Sequence, residues 1–118
     1  MNCYIVDDEQ HNIDMTAQYV GQTAGLILMG SQTNPLLALQ EIRAQKPDVV
    51  FTDIDMQEMD GITLAGLIDD ISRVVFISGS FQSRFNGIDW KNYHYLRKPA
   101  RYSSFLDIIE NLRTEKNQ

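Results

Sequence analysis

Five side chains along this sequence could together handle a phosphoryl group. They are the adjacent pair Asp7 and Asp8, followed by Asp53, Ser78 and Lys98. Carboxylate oxygens are the ligands that Mg²⁺ prefers, and a carboxylate can also act as a nucleophile toward phosphorus. A hydroxyl group and an ammonium group are suited to bind phosphoryl oxygens. If the fold brings these side chains together, the sequence predicts a magnesium-dependent phosphoryl site.

The elements that must position these side chains are five short apolar runs, which we interpret as strands at 3–6, 26–29, 49–51, 74–77 and 93–96. Amphipathic helices are predicted between the strands. This alternation predicts an α/β fold with a parallel sheet covered by helices on both faces. Ligands bind such sheets at the carboxyl ends of the strands, which is where the five side chains stand.

The helices are predicted from apolar spacing and from capping residues. The first covers 10–20, the second begins at Asn34-Pro35 and ends before Pro47, and the third follows Asp60-Gly61 and reaches residue 71. The last begins near residue 103, whereas 79–92 shows little periodicity. We therefore predict one domain over 1–113, with 114–118 as a polar tail or the start of a linker.

Composition excludes several classes of protein. The 118 residues suit a single domain, and a net charge of −6 argues against direct nucleic-acid binding. The lone Cys3 is interpreted as a small core residue, so no internal disulfide is expected. The sequence has no apolar stretch long enough to span a membrane and no signal pattern at its N-terminus. These features predict a cytoplasmic location.

Four motifs together resemble the receiver domain of bacterial two-component response regulators. They are the acidic run 7–9, the stretch 53–61, Ser78-Gly79 and Lys98-Pro99. The resemblance covers essentially the whole chain. It implies a flavodoxin-like (βα)5 fold, with a doubly wound five-stranded parallel sheet in the order 2-1-3-4-5.

The resemblance also implies roles for the acidic residues. Asp53 corresponds to the phosphoacceptor of the family. Asp7, Asp8 and Asp53, together with the backbone carbonyl of Asp55, correspond to the ligands of a Mg²⁺ cofactor. A cognate histidine kinase would supply the phosphoryl group, and the domain itself would not be an enzyme.

The remaining roles implied by the resemblance concern the response to phosphorylation. Lys98 and Ser78 correspond to the residues that bind the phosphoryl group, and Tyr95 to a switch aromatic that moves with Ser78. The peptide bond before Pro99 is expected to be cis. The affected surface lies on the fourth and fifth strands, where a phosphorylation-dependent homodimer is one expected outcome.

Three features of the sequence leave alternatives open. Gln57 stands where the family usually has proline, which is compatible with a degenerate receiver that acts as a phosphorylation-independent interaction module. Asp55 could instead serve as the acid/base of a magnesium-dependent phosphohydrolase with Asp53 as nucleophile. Ser80 could replace Ser78. The 95–99 string is similar to receivers that precede LytTR-type DNA-binding domains, so a DNA-binding domain beyond the end of this chain is one expectation.

Overall fold

The computed structural model describes residues 1–80 and 87–116. Within these two ranges, five strands and four α-helices alternate, and a 3₁₀ turn, Trp90–Asn92, precedes the last strand. The strands are β1 (Asn2–Val6), β2 (Ile27–Gln32), β3 (Val49–Thr52), β4 (Arg73–Ser78) and β5 (His94–Arg97). The helices are α1 (Gln10–Gly21), α2 (Pro35–Gln45), α3 (Gly61–Ile68) and α4 (Tyr102–Lys116).

All strand pairs are parallel, and the order across the sheet is β2-β1-β3-β4-β5. This confirms the predicted flavodoxin-like fold. Helices α1 and α4 pack on one face of the sheet, and α2 and α3 pack on the other. The two faces alternate along β1, since Cys3 and Ile5 contact the first pair of helices while Tyr4 and Val6 contact the second. An unbroken apolar run is therefore the pattern that this strand needs.

The second strand differs most from its prediction. It was predicted at 26–29, but it runs from Ile27 to Gln32. Its place at the edge of the sheet is the one that the predicted strand order gives it. Its polar second half pairs with β1, as in Ser31 opposite Ile5, so backbone pairing extends it beyond the apolar run. Ile27, Leu28 and Met29 are exposed because the edge position leaves them outside both cores.

Two helix ends also lie away from their predicted positions. Helix α3 stops at Ile68, because the backbone N–H groups of both Ile71 and Ser72 turn back to the carbonyl of Ile68. Helix α4 continues to Lys116, past the predicted domain end at residue 113. In the part of the chain that the structure describes, no helix has the length and apolar content needed to cross a membrane.

Cys3 lies in the core, as predicted, and its side chain is fully buried in β1. Burial raises the pKa of its thiol to about 11. The thiol is therefore protonated and unreactive at neutral pH.

The C-terminal end of α2 allows a test of backbone strain. Lys46 has a left-handed conformation there, with φ of 53°. Side chains disfavour this region and glycine does not, so Lys46→Gly should raise the free energy of unfolding by about 0.5–1 kcal/mol. Gln22 ends α1 with φ of −86°, a conformation that needs no glycine. Gln22→Gly should therefore lower the free energy of unfolding by a similar amount. Urea denaturation of the two variants should give opposite signs, and equal signs would contradict the assignment.

Candidate functional site

The acidic residues meet where β1 and β3 end. These strands are neighbours, and Val6 is paired with Thr52, so Asp7 and Asp53 follow them side by side. One carboxylate oxygen from each of Asp7, Asp8 and Asp53 lies within 4.8 Å of the others. Asp7 and Asp53 are buried, whereas Asp8 is exposed. The topology thus brings together the three carboxylates that the sequence singled out.

Lys98 joins two of these carboxylates. Its Nζ donates to Asp7 Oδ2 at 2.9 Å and to Asp53 Oδ2 at 3.2 Å. Burial lowers the pKa of the ammonium group, but the hydrogen bond to Asp7 and the charges of both carboxylates outweigh that effect, so the net pKa is raised. Lys98 therefore keeps its positive charge at neutral pH.

Short-range contacts fix the other carboxylate oxygens. Asp7 Oδ1 accepts a hydrogen bond from the backbone N–H of Glu9 at 3.0 Å and one from the Asn12 amide at 3.4 Å. Asp53 Oδ1 accepts one from the backbone N–H of Ile54 at 2.7 Å. These bonds orient both carboxylates toward the shared edge. The contribution of Asn12 was not predicted, because an Asn inside an amphipathic helix gives no specific signal.

The set of oxygen donors fits a hard divalent cation. Partial desolvation raises the pKa of the Asp8 carboxyl group, and the charges of Asp7 and Asp53 raise this pKa further. A cation in contact with the three carboxylates would remove that repulsion, and Mg²⁺ takes oxygen ligands of this kind. The predicted ligand role of the Asp55 backbone carbonyl remains a prediction.

Gly61 supports the loop after β3 in a way that the sequence did not reveal. Its N–H donates to the Ile54 carbonyl at 2.8 Å, and a Cβ atom at residue 61 would stand 1.9 Å from the carbonyl oxygen of Asp53. Only glycine allows this approach. Asp60-Gly61 was interpreted as turn chemistry, and Asp60 does cap α3 by accepting from the N–H of Thr63. The contact with Asp53 is an additional constraint.

Two serines lie at the end of β4. Ser78 is fully buried, and its Oγ accepts a hydrogen bond from the backbone N–H of Ser80 at 3.2 Å. The Ser80 hydroxyl donates to a carboxylate oxygen of Asp55. The Asp55 side chain is therefore tied to the loop after β4 and is not one of the three clustered carboxylates. The sequence named all three residues but gave no sign that Ser80 and Asp55 touch.

The carbonyl of Ser78 connects β4 with β5. It accepts a hydrogen bond from the Lys98 backbone N–H at 2.9 Å and one from the Tyr95 hydroxyl at 3.4 Å. The Tyr95 ring packs edge-on against Trp90, with ring centroids 5.7 Å apart. The Lys98-Pro99 peptide bond is cis, as predicted. Every residue predicted for the site is therefore at, or bonded to, the same edge of the sheet.

Comparison with known proteins is consistent with this geometry. A family model described as "Response regulator receiver domain" matches residues 3–110. An uncharacterized response regulatory protein of Vibrio parahaemolyticus is 33% identical over 102 residues, covering 85% of this chain and 42% of the relative. The transcriptional regulatory protein BtsR of Escherichia coli is 23% identical over 116 residues, covering 97% of this chain and 48% of BtsR. The chain thus spans about half or less of the length of these curated relatives.

Among solved structures, the response regulatory domain of mrkE from Klebsiella pneumoniae superposes with a TM-score of 0.88. The two chains cover each other completely at 24% identity. At this identity the likeness establishes the fold alone. None of these comparisons identifies the LytTR-linked subgroup, which remains a prediction.

Proposed function

Because this chain belongs to the response regulator receiver family, we propose that it is a phosphorylation-operated signalling switch, in which Asp53 accepts a phosphoryl group from a cognate histidine kinase. The observation that carries the proposal is the Lys98 ammonium group between Asp7 and Asp53. A cation next to a buried, oriented carboxylate is the arrangement that an anionic phosphodonor requires.

The transfer itself is a displacement at phosphorus. A carboxylate oxygen of Asp53 attacks the phosphohistidine, so that a P–O bond forms while the P–N bond breaks. The electron pair of the broken bond leaves on the imidazole nitrogen of the kinase. Lys98 needs little movement to bind a phosphoryl oxygen, because its Nζ already lies 3.2 Å from the acceptor carboxylate. Ser78 binds a second phosphoryl oxygen through its hydroxyl group.

Asp7, Asp8 and Asp53 hold Mg²⁺ in this proposal, with the backbone carbonyl of Asp55 as a further ligand. The bound ion screens the charge between the acceptor carboxylate and the incoming phosphoryl group. The protein contributes orientation, since hydrogen bonds hold Asp7 and Asp53 in place before any ligand arrives.

The output begins at Ser78. When its hydroxyl turns to the phosphoryl group, the end of β4 changes its contacts, and Tyr95 is bonded to the carbonyl of the same residue. Movement of Tyr95 alters its packing against Trp90 and so the surface formed by β4 and β5. That surface is the proposed site of a phosphorylation-dependent homodimer, for which Arg97 and Arg101 are candidate contacts. Tyr102 is bonded instead to the carbonyl of Gln22, at the end of α1.

The finer assignments are part of the same proposal. The domain acts as a signalling protein rather than an enzyme, is located in the cytoplasm and does not itself bind nucleic acid. The name of BtsR supports a role in transcription for a longer protein that contains such a domain. A phosphohydrolase is disfavoured, because the Asp55 side chain is bonded to Ser80 instead of standing beside the acidic cluster.

The proposal is tested by incubating the protein with Mg²⁺ and acetyl phosphate and measuring the intact mass. We expect a magnesium-dependent gain of one phosphoryl group that is absent in Asp53→Asn. Asp107→Asn, an equal charge change on the exposed side of α4, should leave the gain intact. If neither acetyl phosphate nor beryllofluoride modifies or binds the protein, the phosphorylation-independent interaction module is the better description. Steady release of phosphate from unrelated monoesters would instead indicate a hydrolase.

Asp55 is expected to slow phosphorylation by small anionic donors. Its carboxylate adds a further negative charge two residues beyond the acceptor. Asp55→Asn removes that charge but keeps an oxygen that can accept from Ser80. Phosphorylation by acetyl phosphate should become about 2–5-fold faster at low ionic strength, and the gain should shrink in high salt. Intact-mass time courses would measure both rates, and a change no larger than that of Asp107→Asn would contradict the prediction.

A further inference from the structure

A long stretch of this acidic protein carries no charge. From Met15 to Gln40 the sequence has no Asp, Glu, Lys, Arg or His, although 22% of the whole chain is charged. The stretch covers the second half of α1, the edge strand β2 and the first half of α2. Native edge strands commonly carry charged residues, which discourage pairing with other chains. This edge lacks that protection.

The uncharged stretch is also where apolar side chains reach the solvent. Six large apolar residues are exposed in the described parts of the chain, and only Leu67 lies outside the stretch. Ile27, Leu28 and Met29 are consecutive on β2, with exposed fractions of 63%, 38% and 36%. In the described residues β2 pairs on one side only, with β1. We call the surface formed by Ile27–Met29 the β2 edge.

The exposed polar residues of the uncharged stretch can pair with the same residues of a second copy. Gln22, Thr33 and Gln40 are exposed, and amide and hydroxyl groups both donate and accept hydrogen bonds. Two identical residues of this kind can therefore pair across a twofold axis, whereas two identical charged residues would repel each other. Because the whole chain has a net charge of −6, two copies meet with least repulsion through an uncharged surface.

Charges at the two ends of β2 favour one relative orientation. Arg113, which is also paired with Glu110, donates to the carbonyl of Ala24 just before the strand begins. The Met1 ammonium group donates to the carbonyl of Gly25 at the same end and leaves that end positive. Glu41 accepts from the side chain of Gln32, at the end of the strand. If two β2 strands lie antiparallel, the positive end of each lies beside the negative end of the other. A partner in the parallel orientation would place like charges together.

We infer that the β2 edge binds a second copy of this chain, with the two strands antiparallel across a twofold axis. The contact is made chiefly by side chains, because β2 is irregular between Leu28 and Gly30, where its register with β1 shifts. It is separate from the β4–β5 surface and does not need phosphorylation. With only a few apolar residues per copy, the dimer should be weak, with a dissociation constant of about 0.1–1 mM.

Sedimentation equilibrium of the unphosphorylated protein, from about 10 µM to about 1 mM, tests the inference. We expect reversible dimerisation that Ile27→Glu weakens at least about 10-fold, since it places two carboxylates across the axis. Leu67→Glu adds the same charge at the exposed apolar residue outside the stretch and should leave dimerisation unchanged. Circular dichroism would confirm that both variants are folded, which is expected because both positions are exposed.

Disulfide trapping gives an independent reading of the geometry. Leu28→Cys lies in the middle of the β2 edge, so the two copies should crosslink rapidly under a mild oxidant. Leu67→Cys should crosslink slowly, and the buried native Cys3 should not contribute. A wild-type protein that remains monomeric at about 1 mM would overturn the inference. A dimer that survives Ile27→Glu, or one that is lost in Leu67→Glu, would also overturn the inference. Crosslinking through residue 28 that is no faster than crosslinking through residue 67 would do the same.

Discussion

Lys98→Met should destabilise the metal-free protein by about 2 kcal/mol and slow phosphorylation of Asp53 about a hundredfold. The loss of stability arises because the Asp7 and Asp53 side chains are only 6% and 11% exposed, and Lys98 is the cation that bonds to both. The loss of rate follows from the proposed mechanism, in which the ammonium group would bind the phosphoryl group as charge develops on it. Urea denaturation in EDTA measures the first effect, and intact-mass time courses with acetyl phosphate measure the second.

Magnesium should restore part of the stability that Lys98→Met loses. A divalent cation supplies positive charge to the same carboxylates, so Mg²⁺ should raise the free energy of unfolding more in the variant than in the wild type. The matched control is Arg43→Met, which removes the ion pair with Asp70 at the surface. Exposed pairs of this kind contribute little, so this control should differ little from wild type with or without Mg²⁺. If the two variants behave alike, Lys98 does not neutralise the acidic cluster.

The convergence of the predicted site could be deduced from the sequence because it depends on a simple property of parallel sheets. Asp7 and Asp53 each directly follow a run of buried residues, so their positions are fixed once those runs are strands. What periodicity alone left open was which strands are neighbours. The strand order came from the family resemblance, and the observed order β2-β1-β3-β4-β5 confirms it.

The features that the sequence did not reveal depend on contacts between loops. Nothing about Ser80 or Asp55 separately indicates that they touch, because the loops that carry them belong to different strands. The exposure of the β2 edge likewise does not follow from the apolar run by itself. An apolar run looks the same in the sequence whether its strand is central or at the edge, and only the strand order separates the two cases. The hydrophobic pattern therefore located the strand but not its exposure.

Gly61 shows how a strong structural requirement can be hidden within an ordinary motif. An aspartate followed by glycine is expected at any turn, and Asp60 does cap the helix that follows. The sequence therefore offers a sufficient local reason for the pair. The second reason, the approach of residue 61 to the backbone of Asp53, arises only when the loop after β3 folds over the start of α3. A local constraint, the turn, and a tertiary constraint, the approach to Asp53, coincide at Gly61. Only the local constraint could be predicted from the sequence.

This requirement leads to a prediction of opposite signs for one substitution at two positions in the same helix. In Gly61→Ala the new methyl group would lie 1.9 Å from the carbonyl oxygen of Asp53 and 3.0 Å from the Cα of Ile54. Both are backbone atoms, so the loop itself must move. We expect the free energy of unfolding to fall by about 3 kcal/mol. In Gly66→Ala the methyl group meets nothing within 4 Å. The higher helix propensity of alanine should therefore raise the free energy of unfolding by about 0.5–1 kcal/mol.

The same comparison separates damage to the site from damage to the fold. Because the clash in Gly61→Ala is with Asp53 itself, displacement of the loop should also weaken Mg²⁺ binding and slow phosphorylation in the fraction of protein that remains folded. Titrations of Mg²⁺ at a temperature where the variant is fully folded would show this, with Gly66→Ala as the control that should match wild type. If Gly61→Ala lost stability but bound Mg²⁺ normally, we would conclude that α3 moves to relieve the clash while Asp53 stays in place. The close approach would then matter for the position of the helix rather than for the acidic site.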